Sequence, residues 1–349
     1  MALPKPTRLI NSAAPIRICD TGGWTDTWFA EHGCVFNIAV TPLAEVQVTI
    51  YGEGAPGITL HAENYGDRYV VDRQKRWGKH ALLEAAIEYM RVPDDLRLEI
   101  SLYSKAPSGA STGTSAAVSV ALVGALSALR PGRLTAHEAA SAAHRIETEL
   151  LGQQSGIQDQ LASAYGGVSF IEMDHYPHAT VTPVPMDPGV AWELERRLAL
   201  IYLGKSHHSS EVHEKVIAGL EAAGPDCPAL EHLRRAALQS REALAAGDFA
   251  GLGAAMIANT EAQAQLHPAL VGPEAARVIE IARAHGALGW KVNGAGGEGG
   301  SLTLLCGERA AAKRVLLDEI EQARAGFKVI PIRLSREGLR VWQTVSCAE

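Results

Sequence analysis

Between Ala106 and Ala117 the chain reads Ala-Pro-Ser-Gly-Ala-Ser-Thr-Gly-Thr-Ser-Ala-Ala, and it runs on without a break into an alanine-rich stretch reaching about Leu129. A loop of small residues with glycine at 109 and 113, opening directly into a helix, is a narrow structural prescription. The glycines reach backbone angles closed to other residues, and small neighbours let an anion approach the main chain. The helix that follows turns its free N–H groups and positive dipole end toward that anion. Hydroxyls at Ser111, Thr112, Thr114 and Ser115 add donors or a ligand for a divalent cation. The loop is not a Walker A sequence, which needs a Lys before its Ser or Thr. On its own it also reads as a flexible turn leading a helix.

Elements on either side alternate between the two secondary-structure periods. Residues 38–50 carry β-branched side chains at alternate positions, and 58–60, 69–71 and 96–103 read as further strands. Helical spacing marks 80–90, and Thr135 with Glu138 three residues on forms a capping box for a helix through about Leu151. Four prolines (Pro177, Pro183, Pro185, Pro188) between 174 and 188 predict a crossing between subdomains. Beyond it the pattern gives a strand at 198–203, helices at 210–222, 228–246, 249–264 and 275–285, and short extended stretches at 286–288 and 301–305. A helix at 308–325 and a final strand near 328–332 complete it. The result is an α+β chain without a regular βαβ repeat, divided into 1–175 and 176–349.

Three other segments hold chemistry-bearing residues. Residues 14–26 begin like a strand and end in a tight turn, Gly-Gly-Trp-Thr-Asp, with Arg17 before it and Asp26 closing it. An arginine supplies fixed positive charge, and Trp24 offers a face for a sugar ring. The helix through 135–151 carries Glu147 and Glu149, and Asp159 follows in a polar turn flanked by glycine. Taken alone these acids read as surface charges; they meet only if the intervening loop folds back. Residues 291–301 contain Gly294, Gly296, Gly297, Gly299 and Gly300, costly to order and best explained by a backbone pressed against a ligand or another loop.

In combination these segments resemble the GHMP kinase motifs in their usual order: residues 14–17 with 22–26, 107–117, 156–159 with 165–167, and 293–301. Within that family the chain looks most like sugar kinases, D-glycero-D-manno-heptose 7-phosphate kinases in particular, and residues 202–210 look like a serine-bearing segment of that subgroup. The resemblance implies a two-domain α+β fold, with an N-terminal domain like ribosomal protein S5 domain 2 and a ferredoxin-like C-terminal domain. It implies ATP and Mg²⁺, and transfer of the γ-phosphoryl group to a sugar hydroxyl, the anomeric one. Pro107, Ser108, Gly109, Ala110, Ser111, Thr112, Gly113, Thr114 and Ser115 would wrap the ATP phosphates. Ser115 and Glu147 would hold the metal, with Glu149 in its place under a shifted register. Asp159 would be the base, and Arg17 would stabilise charge beside it. Gly23, Trp24, Asp26, Gly156, Tyr165, Gly294, Ala295 and Gly296 would bind the acceptor, with Arg17, Lys205, His207 and His208 as candidates for gripping a second phosphate.

The sequence departs from the family in two places: Thr112-Gly113-Thr114-Ser115 stands where Leu-Gly-Ser-Ser is common, and Glu298 stands where a glycine is usual. Gly23-Trp24 in place of Glu-His speaks against simple galactose specificity. A kinase of free L-fucose or L-arabinose stays open, as does a decarboxylase or non-enzymatic sensor of the same fold. A Rossmann-type dinucleotide enzyme lacks its GxGxxG fingerprint here.

Composition sets the remaining bounds. Of 349 residues, 47% are hydrophobic and 20% charged, and the formal charge is −7, so no bulk attraction to nucleic acid or an anionic membrane is expected. No long apolar run or secretory pattern marks the N-terminus, and the five cysteines are scattered without a CxxC pair. Both point to a cytoplasmic protein with reduced thiols. A homodimer is compatible with all of this.

Overall fold

A computed structural model describes residues 6–52, 54–205 and 211–345. Two sheets organise it. The first has eight strands in the order β12-β1-β2-β5-β3-β4, with β6 and then β7 added along β2. Its spine is β1 (Pro6–Thr21) against the long β2 (Gly33–Tyr51). The first part of β2 pairs with β6 (Val168–His175) and the last part with β5 (Arg97–Ser104). β3 (Gly57–Ala62) runs parallel to β5 and carries β4 (Asp67–Val70) at the edge.

Helices α1 (Ala81–Tyr89), α2 (Thr114–Ser127), α3 (Ala136–Arg145) and α4 (Gln158–Tyr165) cover one face of this sheet. α2 is buried almost all round, which is why its sequence is apolar without a stripe: Val120, Ala121, Leu122 and Val123 are all fully inaccessible. Truncating such a position, Leu122→Ala for instance, removes about 2–5 kcal/mol. Thr135 and Glu138 form the expected reciprocal cap at the start of α3. The last turn of that helix, Ile146–Leu150, widens into a π-helix.

The second sheet has the order β11-β8-β10-β9 and is wholly antiparallel, the ferredoxin-like arrangement. It comprises β8 (Leu198–Tyr202), β9 (Gly289–Val292), β10 (Ser301–Leu305) and β11 (Lys328–Ile330). Along β8 successive side chains serve different cores, as a strand's two-residue period requires. Ala199 and Ile201 pack with α9 (Pro273–Ala284) and α10 (Ala310–Ala323), while Leu198 and Leu200 face the first sheet. There they meet Ile16, Ile18, Phe36 and Ile38, with Leu244 of α7 (Pro228–Ala245) and Leu252 and Met256 of α8 (Phe249–Leu266). The two halves therefore share a continuous apolar core.

Three expectations change. The proline-rich stretch is not a free crossing: His178–Pro183 forms β7, hairpinned onto β6, before Pro188 starts α5 (Pro188–Arg197). Prolines suit this strand because it is an edge. The division expected at residue 175 thus falls within a hairpin of the first sheet. Finally, β12 (Arg340–Val345) follows the strand expected to be last, and it returns to pair with β1. It too is an edge strand, part-exposed and carrying Arg340, Gln343 and Thr344, which hid it from a hydrophobic pattern.

Candidate active site

The loop at 107–113 leads into α2 as expected, with Gly113 at the helix N-cap. Gly113 has φ +66°, and a Cβ there would sit 3.3 Å from both the Asp159 carboxyl carbon and Cγ of Arg17. Both the positive φ and the Arg17–Asp159 pair standing against it favour glycine here. Backbone N–H of Arg17 donates to Thr112 O at 3.0 Å, tying β1 to the loop. The Thr112 and Thr114 hydroxyls lie 3.1 Å apart.

Asp159 occupies the first turn of α4, not a turn outside a helix. Its carboxylate takes two hydrogen bonds from Arg17, Nε to Oδ1 at 2.8 Å and Nη2 to Oδ2 at 3.1 Å. Arg17 Nη1 also donates to Ser111 O. Arg17 is almost wholly buried, and the carboxylates of Asp159 and Asp20 outweigh the burial penalty and raise its pKa.

Two cavities meet at this pair. One, about 590 Å³, is lined by the 108–115 loop, Asn64, Tyr65, Lys79 and His80. The other, about 770 Å³, is lined by Gly23, Trp24, Asp26, Trp28, Phe29, residues 152–156, Gln158 and His213. Arg17, Asp159, Gly294 and Ala295 line both. The first cavity opens onto the helix end that suits phosphate, and the second is a polar pocket with an aromatic wall. Their shared waist holds the carboxylate.

The glycine-rich loop at 294–300 closes the waist from the second sheet. All five of its glycines have positive φ, and a Cβ on Gly294 or Gly300 would press on Ser111. The expected close approach is therefore loop against loop. It is fastened by Asp20, which sequence reasoning left without a role. Asp20 is fully buried and accepts Gly294 N–H at 3.0 Å. Lys291 Nζ lies 3.5 Å from it and Arg17 Nη2 3.9 Å. Burial alone would raise the Asp20 pKa, but Arg17, Lys291 and the Gly294 N–H hold it below the usual carboxylate range. The available signal was the Arg-x-x-Asp spacing in β1 together with a lysine at the head of the glycine loop.

Asp26 is also buried. Its Oδ2 accepts Gln158 N–H at 3.0 Å, capping α4, and burial pushes its pKa up to about 6. Trp24 sits in the left-handed region at φ +79° and packs edge-on against His213 at 5.7 Å. Such strain in a non-glycine residue costs about 1–3 kcal/mol and collects at functional sites.

Glu147 is buried, and Ser155 Oγ and Gln160 Nε2 donate to its Oε2 at 3.0 and 2.7 Å. Oε1 has no partner, and burial pushes the pKa up to about 7. Glu149, by contrast, is exposed and 3.7 Å from Arg145. The register thus turns Glu147 inward and Glu149 outward. An orphaned, buried carboxylate oxygen suits a divalent cation; Ser115, exposed, lines the first cavity, whereas Glu147 lies behind the lining of both. Among the described residues no cluster of three or more His, Cys, Asp or Glu forms a self-contained metal cage.

Other expected site residues stand elsewhere. Tyr165 lies at the far end of α4, six residues and roughly 9 Å along the helix from Asp159, with its hydroxyl 3.2 Å from His137. Lys205 pairs with Glu274 at 3.2 Å and Glu298 at 3.9 Å and lines neither cavity. Glu298 is exposed and likewise lines neither cavity. Gly296 lies behind the waist, its carbonyl 3.2 Å from His213 Nε2. His207 and His208 lie outside the described residues. Four cysteines are free thiols, and Cys347 is outside the described range. No helix among the described residues is long and apolar enough to cross a membrane.

Comparison with known proteins bears on the family and the fold. The family description "GHMP kinases N terminal domain" matches residues 80–167, and "GHMP kinases C terminal" matches 240–318. A mevalonate kinase of Thermococcus sibiricus is 31% identical over 69% of this chain and 68% of its own. A bifunctional fucokinase/GDP-fucose pyrophosphorylase of Arabidopsis thaliana is 28% identical over 87% of this chain. A D-glycero-alpha-D-manno-heptose 7-phosphate kinase of Campylobacter jejuni is 28% identical over 58% of it. The matches span only 31% and 60% of those last two proteins. Among solved structures, a D-glycero-D-manno-heptose 1-phosphate kinase of Bacteroides thetaiotaomicron superposes with a TM-score of 0.73 at 21% identity, covering 95% of this chain and 98% of that one.

Proposed function

The chain belongs to the GHMP kinases, phosphotransferases acting on alcohol groups, and from that premise we propose that it moves the γ-phosphoryl group of ATP to a sugar hydroxyl. The observation that carries this reading is the waist between the two cavities, where Arg17 and Asp159 stand.

The phosphate chain lies against the 107–115 loop, where backbone N–H groups and the α2 dipole neutralise it. Asp159 takes the acceptor hydroxyl's proton as the oxygen attacks phosphorus, and Arg17 fixes the carboxylate's direction through two bonds. Arg17 also supplies positive charge where the transferring group passes. A loose transition state asks little covalent help, so positioning and charge account for most of the acceleration. Ser115 and Glu147 would hold Mg²⁺, which supplies charge neutralisation on the phosphates. Residues of the 294–300 loop exclude water from the waist.

A second reading, phosphorylation of the anomeric hydroxyl of D-glycero-D-manno-heptose 7-phosphate, is favoured by the Campylobacter relative. Of the cations it calls on, Arg17 is engaged by Asp159 and Asp20, and Lys205 by Glu274.

ADP release from Mg²⁺-ATP, screened across heptose 7-phosphate, L-fucose, L-arabinose, galactose, mannose and mevalonate, tests the reading. Sugar-dependent ADP formation is expected. Turnover of mevalonate alone would overturn it.

A further inference from the structure

Residues 165–167 belong to the segments that resemble the family motifs, yet Gly166 and Gly167 line neither cavity. What presses on these glycines is a late segment of the chain itself. From β11 in the second sheet the chain runs back through residues 333–339 and continues into β12 on the first sheet. On the way it crosses the end of α4, the helix whose first turn holds Asp159.

The contact is backbone on backbone. Leu339 N–H donates to Ala164 O at 3.0 Å, satisfying a carbonyl that the helix end would otherwise leave open. Gly166 has φ +70° and ψ −166°, a combination open essentially to glycine alone. A Cβ on it would collide with Glu337 and Gly338, and a Cβ on Gly338 would collide with Ala164 O. Neither residue can carry a side chain while the two stretches keep this distance.

The same junction reaches both members of the Arg17–Asp159 pair. Gly167 N–H donates to Ser335 O at 2.7 Å, while Ala39 of β2 accepts Ser335 N–H at 2.9 Å and donates to Gly167 O at 2.8 Å. Ala39 is the strand partner of Arg17. Leu339 also packs on α2, where a Cβ on Gly124 would stand 2.7 Å from its Cδ1. On the side of the second half, Leu334 N–H donates to Glu195 Oε2 of α5 at 2.8 Å. One segment thus bears on the helix of Asp159, on the strand beside Arg17 and on the helix that the 107–113 loop opens.

α4 has 8 residues, a rod of about 12 Å. Its first turn is held by Asp26 and its last by the segment 333–339. Displacing the last turn moves Asp159 at the other end, away from the direction that Arg17 gives it. We propose that residues 333–339 are a positioning element for the Arg17–Asp159 pair, acting through the contact between Gly338 and the end of α4 at Ala164–Gly166. This rests on the kinase reading for the role of Asp159, whereas the seating of α4 stands apart from turnover.

The test compares Gly338→Ala, Gly166→Ala and the double variant. Ser335→Ala is a milder companion that removes only the hydroxyl's bond to Glu337 O, 2.9 Å long. Ile320→Ala, a core truncation on α10 in the second half, controls for lost stability alone. Each is assayed for ADP release well below its melting temperature, with the best acceptor of the screen. Either glycine variant should cut kcat about 10- to 100-fold, the cost of misplacing a reacting group by about 1 Å, with KM for ATP and acceptor within about threefold. The double variant should lose little more than either single one, because both substitutions break one contact. Ser335→Ala should lose about threefold, and Ile320→Ala should melt earlier with kcat unchanged.

A crystal structure of Gly338→Ala reads the same claim without turnover and should show Asp159 drawn away from Arg17. If the wild type forms no ADP with any acceptor, the kinase reading falls and the crystal structure alone decides this one. If the glycine variants do not fold, Ser335→Ala decides it. A kcat within about twofold of wild type in every variant that folds, or an Arg17–Asp159 pair unmoved in the Gly338→Ala structure, would overturn the proposal.

Discussion

Arg17 on the first strand and Asp159 at the start of α4 are separated by 142 residues and joined by two parallel hydrogen bonds of 2.8 and 3.1 Å. A fork of this kind fixes the direction of a carboxylate. Direction matters here because the carboxylate stands at the waist between two cavities, where an acceptor oxygen and a phosphoryl group would have to line up.

Asp159→Asn removes the proton acceptor while keeping the shape. It should lower kcat by roughly 10²–10⁴-fold and leave the affinity for ATP within a few-fold. Steady-state ADP release and nucleotide titration measure the two effects separately. Arg17→Lys keeps a charge but loses the fork, so it should also cut kcat, by about tenfold or more. Near-normal turnover in either variant would remove that residue from its role.

The Asp20–Lys291 contact joins the first sheet to the second and fastens the glycine loop. Asp20→Asn leaves Lys291 buried without its countercharge, which costs about 3–5 kcal/mol. Urea unfolding should show this loss. Asp20→Asn combined with Lys291→Met should recover part of it, since the uncompensated charge is then gone.

Asp26 gives a pH signature. Its pKa is about 6 in the fold, against 3.8 for the free side chain, so the folded state binds the proton more tightly than the unfolded chain. Stability from this group is therefore fully present below about pH 4 and is lost as pH rises through 6. The total is on the order of 2–3 kcal/mol. Melting temperatures of the wild type and Asp26→Asn between pH 4 and 7.5 should diverge over that window, the wild type falling relative to the variant. A constant difference would contradict the assignment.

Gly113→Ala tests the packing of the 107–115 loop on Arg17 and Asp159. The new methyl must share φ +66° and stand 3.3 Å from Asp159 and Arg17. The strain costs about 1–2 kcal/mol, and the displaced pair should cost more in kcat than in stability. Circular dichroism melting alongside the kinetic assay separates the two.

Much of this arrangement was legible from residues alone, for physical reasons that differ by segment. The loop at 107–113 and the helix it opens were legible because few backbones need glycine, proline and small hydroxyls at such spacing ahead of a buried helix. The 294–300 loop was legible because five glycines are hard to order without close neighbours, which prove to include Ser111, Leu270 and Lys205. The setting of Asp159 differs from the one its neighbours suggest: Gly156 and the polar run 153–155 look like a turn, and only the cap from Asp26 reveals that a helix starts at Gln158. Asp20 and Lys291 were invisible as site residues because a lone acid and a lone lysine ordinarily face solvent. Nothing local says that they will be buried together 271 residues apart. Tyr165 and Lys205 erred the other way: their motif neighbourhood suggested the cleft, while helix length and Glu274 carry them from it. β12 escaped notice because an edge strand needs little apolar character.

The most direct check on the central claim is a crystal structure of the protein with a non-hydrolysable ATP analogue, Mg²⁺ and a free sugar. The account predicts the triphosphate along residues 107–115, its terminal phosphorus facing Asp159, with the sugar in the neighbouring cavity and one hydroxyl at the Asp159 carboxylate. A triphosphate bound away from that loop, or a sugar with no hydroxyl near Asp159, would contradict it.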